Sequence, residues 1–505
     1  MISVRAMLDI WCPSFLLKWK GRVVNSPLGY RLARGAFWSL AGSILARGLG
    51  LLSGIFVARI LGKVGFGQLG MIQSTVGMFG TLAGFSLGVT ATKHVAEDKT
   101  SNPARAGRII GLASAVAWVS GGVATIVLFL LAPWLASRSL AAPELSGLLQ
   151  LGCLLLLLGG VNGAQTGALA GFEAFRTIAR VSLVAGVLSF PVTLSCALLL
   201  GVRGAVWAQI LTLLINCALN YLALRKEAAQ AHVPLGYSHC WQEWPILWKF
   251  SLPTVLGGVL AGPVGWASAA LLVNQPHGYS QMGIYNAVMR MKSLPELVLS
   301  MVMAPLLPIL SEQFAHGQTA AYGKTLRYAF GLSLVLIVPV SLIQIAGPAI
   351  TMLPFGQEYR ENSAPVVQWL MVHAAFLGIF FPFNSILPSM NRTWFGFWYS
   401  VWYSILLLAL AWLLIPRFGA AGLASAVALS YLVASLVCVI YIRLREKSFV
   451  AEVRLFPAIC AVAVSAAFCA ALGRLVDSVA AAILGAALVC VLTASCVRHA
   501  LPKSL

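Results

Sequence analysis

Long apolar runs recur roughly every 30 to 40 residues along the whole chain, and this recurrence restricts the fold more than any other feature. A run of about 20 apolar residues is long enough to cross a bilayer as a helix. Because 60% of the residues are apolar and only 10% are charged, we place the chain in a membrane. Apolar runs of this length that contain glycine and proline indicate helices rather than the short alternating strands of a membrane barrel. We therefore predict an all-α, polytopic membrane protein.

The flanking lysine and arginine residues give approximate boundaries for about fourteen transmembrane helices. The predicted spans, in chain order, are Ala36–Leu61, Gly67–Thr92, Arg108–Ala132, Ser146–Gly171, Thr177–Leu200, Gly204–Leu224, Leu247–Val273, Gln281–Leu310, Leu326–Met352, Ala364–Leu387, Trp394–Ile415, Ala420–Ile442, Leu455–Leu472 and Val479–Val497.

The positive charges are distributed unevenly between the two sides that these spans define. Most of the 34 lysine and arginine residues fall in the two tails and in alternate connections, which are cytoplasmic if the N-terminus is cytoplasmic. This asymmetry follows the positive-inside rule, so we predict that both termini are cytoplasmic. The net charge of +20 does not indicate a nucleic-acid partner, because no basic run is dense and interleaved with aromatic residues.

The chain contains an internal repeat. Residues 201–208, which enter the sixth span, match residues 419–426, which enter the twelfth, and residues 66–71 match residues 279–284. In-order matches at equivalent spans predict two pseudo-symmetric six-helix lobes of the same orientation, as in transporters whose halves rock about a central site. The predicted organisation is a cytoplasmic interfacial segment (1–35), an N-lobe (36–224), a cytoplasmic linker (225–246), a C-lobe (247–442) and an appendage of two C-terminal helices (443–505).

Two short motifs imitate nucleotide sites, but neither has the required context. Gly65-Phe-Gly67-Gln-Leu-Gly70 satisfies a dinucleotide fingerprint, yet it lies between two membrane spans with no preceding strand. Gly323-Lys324-Thr325 resembles the end of a phosphate loop, but glutamine stands where the first glycine is required. We expect no cofactor and no metal site.

Ionisable residues inside the predicted spans are the sharpest functional clue, because they are expensive in lipid and usually face a cavity or a partner. Arg47 lies within the first span, and Arg290, Lys292 and Glu296 lie within the eighth. Lys292 and Glu296 are spaced to pair on one face, whereas Arg290 faces elsewhere. Structural alternatives remain for both sets, namely a buried Lys292–Glu296 pair and an Arg47 that extends to the membrane surface. The embedded charge is positive, and the arginine fork suits phosphate, so we predict an anionic, phosphorylated substrate.

The motifs resemble a known family. Arg34-Gly-Ala-Phe-Trp38, the glycine-rich segment from Phe56 to Gly70, Trp248-Lys-Phe-Ser-Leu-Pro253 and Gly283-Ile-Tyr285-Asn-Ala287-Val-Met-Arg290 are similar to the polysaccharide transporter, or oligosaccharide flippase, family. That family belongs to the multidrug/oligosaccharidyl-lipid/polysaccharide exporter superfamily. The resemblance spans about residues 30–445 and implies two six-helix lobes around a V-shaped cavity. It also implies transport of polyprenyl-pyrophosphate-linked oligosaccharides, such as O-antigen or exopolysaccharide units, across a bacterial inner membrane.

On this hypothesis Arg47, Arg290 and Lys292 bind the substrate, Glu296 is the candidate for coupling to an ion gradient, and no residue is catalytic. Gln73, Asn274, Asn286 and Asn384 are polar candidates for sugar recognition. The expected partners are the lipid-linked oligosaccharide, membrane lipids and, as further candidates, other polysaccharide assembly proteins.

Three alternatives stay open. Lipid II flippases also have cationic cavities and fourteen helices, but their signatures in the first two spans are absent around Gly62–Gly88. Cation-coupled multidrug antiporters commonly carry an acidic residue in the first span, where this chain has Arg47. A membrane polysaccharide polymerase or ligase needs catalytic groups on a large outer loop, whereas the outer loops here are short. We therefore predict a transporter that is not an enzyme.

Overall fold

The computed structural model describes residues 27–83, 87–248, 259–303, 305–390, 393–445, 455–475 and 480. Within these ranges side chains are described from residue 47 onward, except at 82–83, 393–394, 455–458 and 474–475. Most of the predicted interfacial segment 1–35 and the fourteenth predicted span, Val479–Val497, lie outside the described residues.

The described chain is helical and contains no strand in those ranges. The α-helices are α1 (Pro27–Ala83), α2 (Leu87–Asp98), α3 (Pro103–Trp134), α4 (Ser146–Gly152), α5 (Leu154–Gly171), α6 (Phe175–Gln230), α7 (Ala261–Val273), α8 (Gly278–Met303), α9 (Leu306–Ala315), α10 (Thr319–Ala346), α11 (Pro348–Thr351), α12 (Gln357–Arg360), α13 (Ala364–Phe380), α14 (Ile386–Ser389), α15 (Thr393–Arg445) and α16 (Leu455–Leu475). A π-helical turn covers Leu135–Ser139, and 3₁₀ turns cover Pro143–Leu145, Cys240–Glu243, Leu353–Phe355 and Phe381–Ser385.

Helix length and composition confirm a polytopic membrane protein. Eight helices in the described part of the chain are long and apolar enough to cross a membrane, and two shorter apolar helices accompany them. Three of the long helices, α1, α6 and α15, are each interrupted by one glycine in a left-handed conformation. Each of these three therefore supplies two arms, which matches the pairs of spans that the sequence predicts there.

The two halves repeat the same helical hairpin. In α6 the interrupting residue is Gly201, and the backbone of Gly204 packs directly on the carbonyl oxygen of Cys196. In α15 the equivalent contact places Gly422 on the carbonyl oxygen of Leu414. Residues eight apart in a straight helix are separated by about 12 Å along the axis, so the chain folds back at both places. The same glycine hairpin at equivalent positions confirms that the two halves are pseudo-symmetric.

The halves meet through equivalent helices. The second arm of α1, beyond Gly62, packs against the first turns of α8 so closely that glycine is required on both sides. A Cβ atom at Gly67 would overlap the backbone carbonyl of Tyr279, and one at Gly283 would overlap the carbonyl of Lys63. These two helical segments are the ones that the sequence repeat relates to each other. This helix crossing therefore sets how closely the two halves approach each other.

One end of this crossing is closed by hydrogen bonds, and we call it the Gly62 end. Four side chains donate across the two halves to backbone carbonyl oxygens: Tyr359 Oη to Ala58 at 3.0 Å, Arg59 Nε to Pro354 at 2.6 Å, Asn274 Nδ2 to Ser139 at 2.7 Å and Tyr279 Oη to Leu140 at 2.8 Å. The halves are thus held together at this end by polar contacts as well as by packing.

The connection that follows α6 is docked on the N-terminal half. Glu243 is buried and accepts hydrogen bonds from Arg108 Nη2 at 2.8 Å and from Arg105 Nε at 3.2 Å. Residues 234–236 lie directly against α3, because a Cβ atom at Gly107 or Gly111 would overlap their carbonyl oxygens. The connection is therefore an ordered part of this half rather than a loose tether.

Candidate functional site

Arg290 projects from α8 toward the first arm of α1. Its guanidinium lies against Gly54, where a Cβ atom would stand only 2.7 Å from Arg290 Cζ. The same group lies over the ring of Phe66, with Cζ 5.4 Å from the ring centroid. Gly54 provides the space that the guanidinium occupies, and Phe66 provides a π surface that favours a cation. Arg290 therefore sits at the junction between the two halves.

A cavity of about 210 Å³ surrounds the Arg290 side chain, and we call it the Arg290 pocket. Its lining residues are Phe66, Gly70, Gln73, Asn286, Met289, Arg290 and Ser293. The Asn286 amide is accommodated by the close approach of Gly70, where a side chain would overlap it.

The Arg290 pocket contains a buried hydrogen-bond donor that has no acceptor among the described residues. Asn286 Nδ2 is buried without a hydrogen-bond partner among the described residues. Within the same part of the chain, Arg290 forms no ion pair, and no acidic residue lines the pocket. A buried donor without an acceptor is costly, so a group with several acceptor oxygens would be stabilised here. The donor set favours an anion and disfavours a cation.

Arg47 lies on the same face of α1 as the contact with Arg290. It precedes Gly54 by seven residues, which is about two helical turns or 10 Å along the axis. Gly50, one turn from Gly54, has no atom within 4 Å of its missing Cβ, and Arg47 is exposed. The space between the halves therefore opens within one turn of the Arg290 pocket, on the side away from the Gly62 end.

Lys292 and Glu296 lie on a different face of α8. Their side chains form an ion pair with Nζ 3.0 Å from Oε1, and Lys292 is buried. Lys292 is not one of the residues that line the Arg290 pocket. The structure thus places Arg290 in the pocket and leaves Arg47 outside the pocket lining, about two helical turns away from Gly54 along α1. It pairs Lys292 with Glu296 on another face of α8.

The polar residues named from the sequence divide in a similar way. Gln73 and Asn286 line the Arg290 pocket, Asn274 belongs to the Gly62 end, and Asn384 is exposed in a 3₁₀ turn. Phe66 and Gly70 are pocket residues that the sequence did not assign to the site, although both belong to the glycine motif rejected as a nucleotide fingerprint. Glycine in that motif serves close helix packing.

The fold is shared with solved transporters. The chain resembles the structure titled "Lipid II flippase MurJ, inward closed conformation", with a TM-score of 0.69, 12% identity and coverage of 91% of this chain and 98% of that one. It also resembles an inward-facing multidrug resistance MATE family transporter of the MOP superfamily, with a TM-score of 0.66, 15% identity and coverage of 82% and 98%. The chain therefore has the fold of the MOP superfamily of transporters.

Sequence comparison identifies the family. The model described as "Polysaccharide biosynthesis protein" matches residues 32–314, and the chain belongs to this family. The model of the lipid II flippase MurJ matches residues 276–492. A curated relative, the lipid III flippase of Escherichia coli (strain K12), is 26% identical over 293 residues, which are 55% of this chain and 67% of the relative.

Proposed function

We propose that this protein moves a polyprenyl-pyrophosphate-linked oligosaccharide across the bacterial inner membrane by alternating access. In this proposal the pyrophosphate binds in the cleft that Arg290 and Arg47 share, while the prenyl chain stays in lipid. The observation that carries the proposal is the Arg290 pocket, where, among the described residues, the guanidinium has no ion pair and Asn286 Nδ2 has no acceptor.

Such a site is needed because moving a charged head group through hydrocarbon carries a large free-energy penalty. An uncompensated anion is strongly disfavoured in the membrane interior, and fixed cations beside a wet cavity reduce that penalty. Arginine offers a planar fork that binds two phosphate oxygens at once. The family match and the relationship to a lipid III flippase support a substrate of this chemical class.

The direction of opening follows from the charge asymmetry of the connections. With both termini in the cytoplasm, the Gly62 end faces the outer side and is closed by four side chains that donate hydrogen bonds between the halves. The exposed Arg47 then faces a cleft that is accessible from the cytoplasmic leaflet, where lipid-linked units are made. The conformation is therefore the one that would load substrate.

Lipid II transport is the second candidate function. The MurJ model matches the C-terminal half of the chain, and the MurJ structure covers more of the chain than the MATE structure does. Lipid II carries the same pyrophosphate linkage, so the Arg290 pocket suits both substrates. The sugar, which must contact other polar groups, is what distinguishes them.

The test is transport by the purified chain in liposomes. Proteoliposomes would receive a fluorescent lipid-linked oligosaccharide on one leaflet, and its appearance on the other would be followed by a reagent that quenches accessible label. We expect Arg290→Gln and Arg47→Ala each to lower the rate about tenfold or more, as expected for loss of a charge-assisted hydrogen bond. Arg290→Lys should retain only part of the wild-type transport rate, because lysine lacks the planar fork of arginine.

Arg417→Gln is the matched control, because Arg417 is an exposed arginine near the α15 hairpin and lies outside the Arg290 pocket. Normal transport by both Arg290→Gln and Arg47→Ala would contradict the proposal. Parallel assays with lipid II and with an O-antigen unit would decide between the two candidates. Formation of new glycosidic bonds by the purified protein would instead establish an enzyme.

The multidrug antiporter alternative can be tested separately by measuring resistance to cationic dyes. Arg290 and Arg47, which have no ion pair with any described residue, repel a lipophilic cation, and the repulsion is stronger at low dielectric than in water. Expression in a drug-sensitive host should therefore give no resistance to cationic dyes. Dye efflux that depended on Glu296 and not on Arg47 or Arg290 would favour an antiporter.

A further inference from the structure

A second cavity lies on the N-terminal half, away from the Arg290 pocket. It has a volume of about 560 Å³ and is formed by α3, α5, α6 and the connection after α6, and we call it the α3–α6 groove. It shares no lining residue with the Arg290 pocket. Its walls are mainly apolar and aromatic, and Trp118, Leu214 and Tyr221 are half-exposed along it. Its size lies within the range of small-molecule sites.

The groove has the length and charge pattern of one leaflet. Arg225 marks one end, and Leu214 lies eleven residues earlier on the same helix, or about 16 Å along the axis. That distance is about half of the 30 Å hydrocarbon core of a bilayer. At the Arg225 end, Tyr221 and Tyr237 add the aromatic residues that are typical of the membrane–water interface. The groove therefore runs from head-group level into one leaflet.

Arg225 is the charged group at the rim of the groove. Its guanidinium lies over the Tyr221 ring, with Cζ 5.7 Å from the centroid, and it has no ion pair with any described residue. The neighbouring cations Arg105 and Arg108 are already bonded to Glu243. Arg225 is therefore available to an anion from outside the protein.

Gln165 is a second, independent indication that the groove holds a ligand. Its side chain lines the groove with only 7% of the residue exposed, and its Oε1 has no hydrogen-bond partner among the described residues. Nearby polar groups are satisfied, since Asn220 Nδ2 donates to Asn162 Oδ1 at 2.9 Å. A buried amide with an unpartnered polar atom destabilises the protein unless a ligand provides the partner. A rotation of the amide presents either its oxygen or its NH₂ group to such a ligand.

Arg225 and Gln165 lie at different depths along the α3–α6 groove. Gln165 lies beside the Asn162–Asn220 bond, and Asn220 precedes Arg225 by five residues, or about 7 Å along α6. In a phospholipid the glycerol ester groups lie just below the phosphate, and the acyl chains lie below both. Arg225, Gln165 and the apolar wall around Leu214 therefore follow the same order as phosphate, ester and chain.

We propose that the α3–α6 groove binds an anionic phospholipid of the surrounding membrane as a structural lipid. Its phosphate contacts Arg225, a glycerol ester carbonyl accepts a hydrogen bond from the Gln165 NH₂ group in the rotated amide, and one acyl chain lies along Trp118 and Leu214. The docked connection after α6 forms the end of the groove, so an occupied groove also stabilises that connection. The lipid is distinct from the transported substrate, because the groove and the Arg290 pocket have separate walls.

The experiment measures lipid retention by the full chain. Protein purified in detergent would be incubated with phosphatidylglycerol or with phosphatidylcholine of identical chains, and bound lipid would be counted by native mass spectrometry. We expect the wild type to retain phosphatidylglycerol preferentially and Arg225→Gln to retain about fivefold less of it, the effect of one interfacial cation. The control is Lys226→Gln, because Lys226 is the adjacent exposed cation and does not line the groove.

Further arms make the proposal falsifiable if Arg225→Gln folds poorly. Gln165→Leu removes the unpaired amide, so we expect weaker lipid retention together with an unchanged or raised melting temperature without added lipid. Equal lipid retention by the wild type, Arg225→Gln and Lys226→Gln would mean an adventitious lipid only and would overturn the proposal. Displacement of the bound phospholipid by polyprenyl phosphate would assign the groove to the transport substrate and would also overturn it.

Discussion

Gly201 and Gly419 adopt the same backbone conformation although they are 218 residues apart, with φ/ψ of 59°/−135° and 55°/−127°. Their surroundings differ. No atom lies within 4 Å of the missing Cβ of Gly201, whereas Gly419 is covered by the Gln281 side chain, which accepts a hydrogen bond from the backbone N–H of Ala420 at 2.8 Å. The two glycines therefore have the same backbone conformation but different neighbours. A side chain added at Gly201 would meet only backbone strain, whereas one added at Gly419 would also clash with Gln281.

We expect alanine to destabilise both hairpins, and Gly419→Ala to have the larger effect. Each change places a side chain at positive φ, which costs about 1 to 2 kcal/mol. Gly419→Ala must also displace Gln281 and weaken its bond to Ala420. Thermal unfolding of the purified variants in detergent would rank them. Gly159→Ala is the control, because Gly159 is helical and has open space around its Cβ position; equal melting temperatures for all three would refute the ranking.

A single methyl group should disturb the Arg290 pocket without changing any charge. In Gly54→Ala the new Cβ would occupy the position of the Arg290 guanidinium, so this flexible group must move out of its place beside Phe66. We expect transport to fall about tenfold while the melting temperature stays close to that of the wild type. Gly50→Ala, one turn away on the same face and free of neighbours, should transport normally. Similar rates for the two variants would place the functional guanidinium elsewhere.

Much of this arrangement could be predicted from local patterns in the sequence. The i, i+4 spacing of Lys292 and Glu296 predicted their pairing, and the helical rotation between positions 290 and 292 predicted that Arg290 faces away from them. The repeat predicted which helices are equivalent. All of these follow from spacing along one helix or from comparison of two segments, which a single sequence contains.

Contacts between distant segments could not be predicted in the same way. The approach of Asn286 to Gly70 depends on how closely two helices cross, and the burial of Glu243 depends on where the connection after α6 docks. The sequence showed only a linker between the lobes and a glycine motif with a misleading pattern. Their roles are set by tertiary packing, for which composition and periodicity carry no signal.

The Lys292–Glu296 pair is open to a test that separates a structural role from coupling. Glu296→Gln leaves the buried Lys292 without its partner, so we expect a loss of about 2 to 3 kcal/mol of stability. The double variant Lys292→Met/Glu296→Gln should regain most of this stability, because it removes both charges. Transport by the double variant would then be measured with imposed proton and sodium gradients. Wild-type gradient dependence would eliminate Glu296 as the coupling group, whereas its loss in a stable protein would support that role.

The docked connection should be sensitive to acid. Burial raises the pKa of the Glu243 carboxyl, but hydrogen bonds and charges from Arg108 and Arg105 outweigh it, so the pKa lies below the ordinary value. A carboxyl whose pKa is lowered on folding stabilises the protein above its unfolded pKa of about 4.5, and this contribution is lost as the pH falls through the folded value. We expect the protection of residues 233–243 from hydrogen exchange, measured relative to the intrinsic exchange rate at each pH, to fall below about pH 4.5 in the wild type. Glu243→Gln should show low protection at neutral pH and little further loss in acid; wild-type protection of this variant at neutral pH would contradict the prediction.

The hydrogen bonds that four side chains donate at the Gly62 end have an evolutionary consequence. Every acceptor is a main-chain carbonyl, so a substitution at Ala58, Ser139, Leu140 or Pro354 leaves the acceptor atom in place. The donors are side chains, and three of the four, Tyr359, Asn274 and Tyr279, belong to the C-terminal half. Under the proposed function, mutation of these few donor positions changes how readily this end opens, while substitutions around Arg290 change which sugar is recognised. The proposal therefore implies that gating and substrate recognition can evolve independently in this chain.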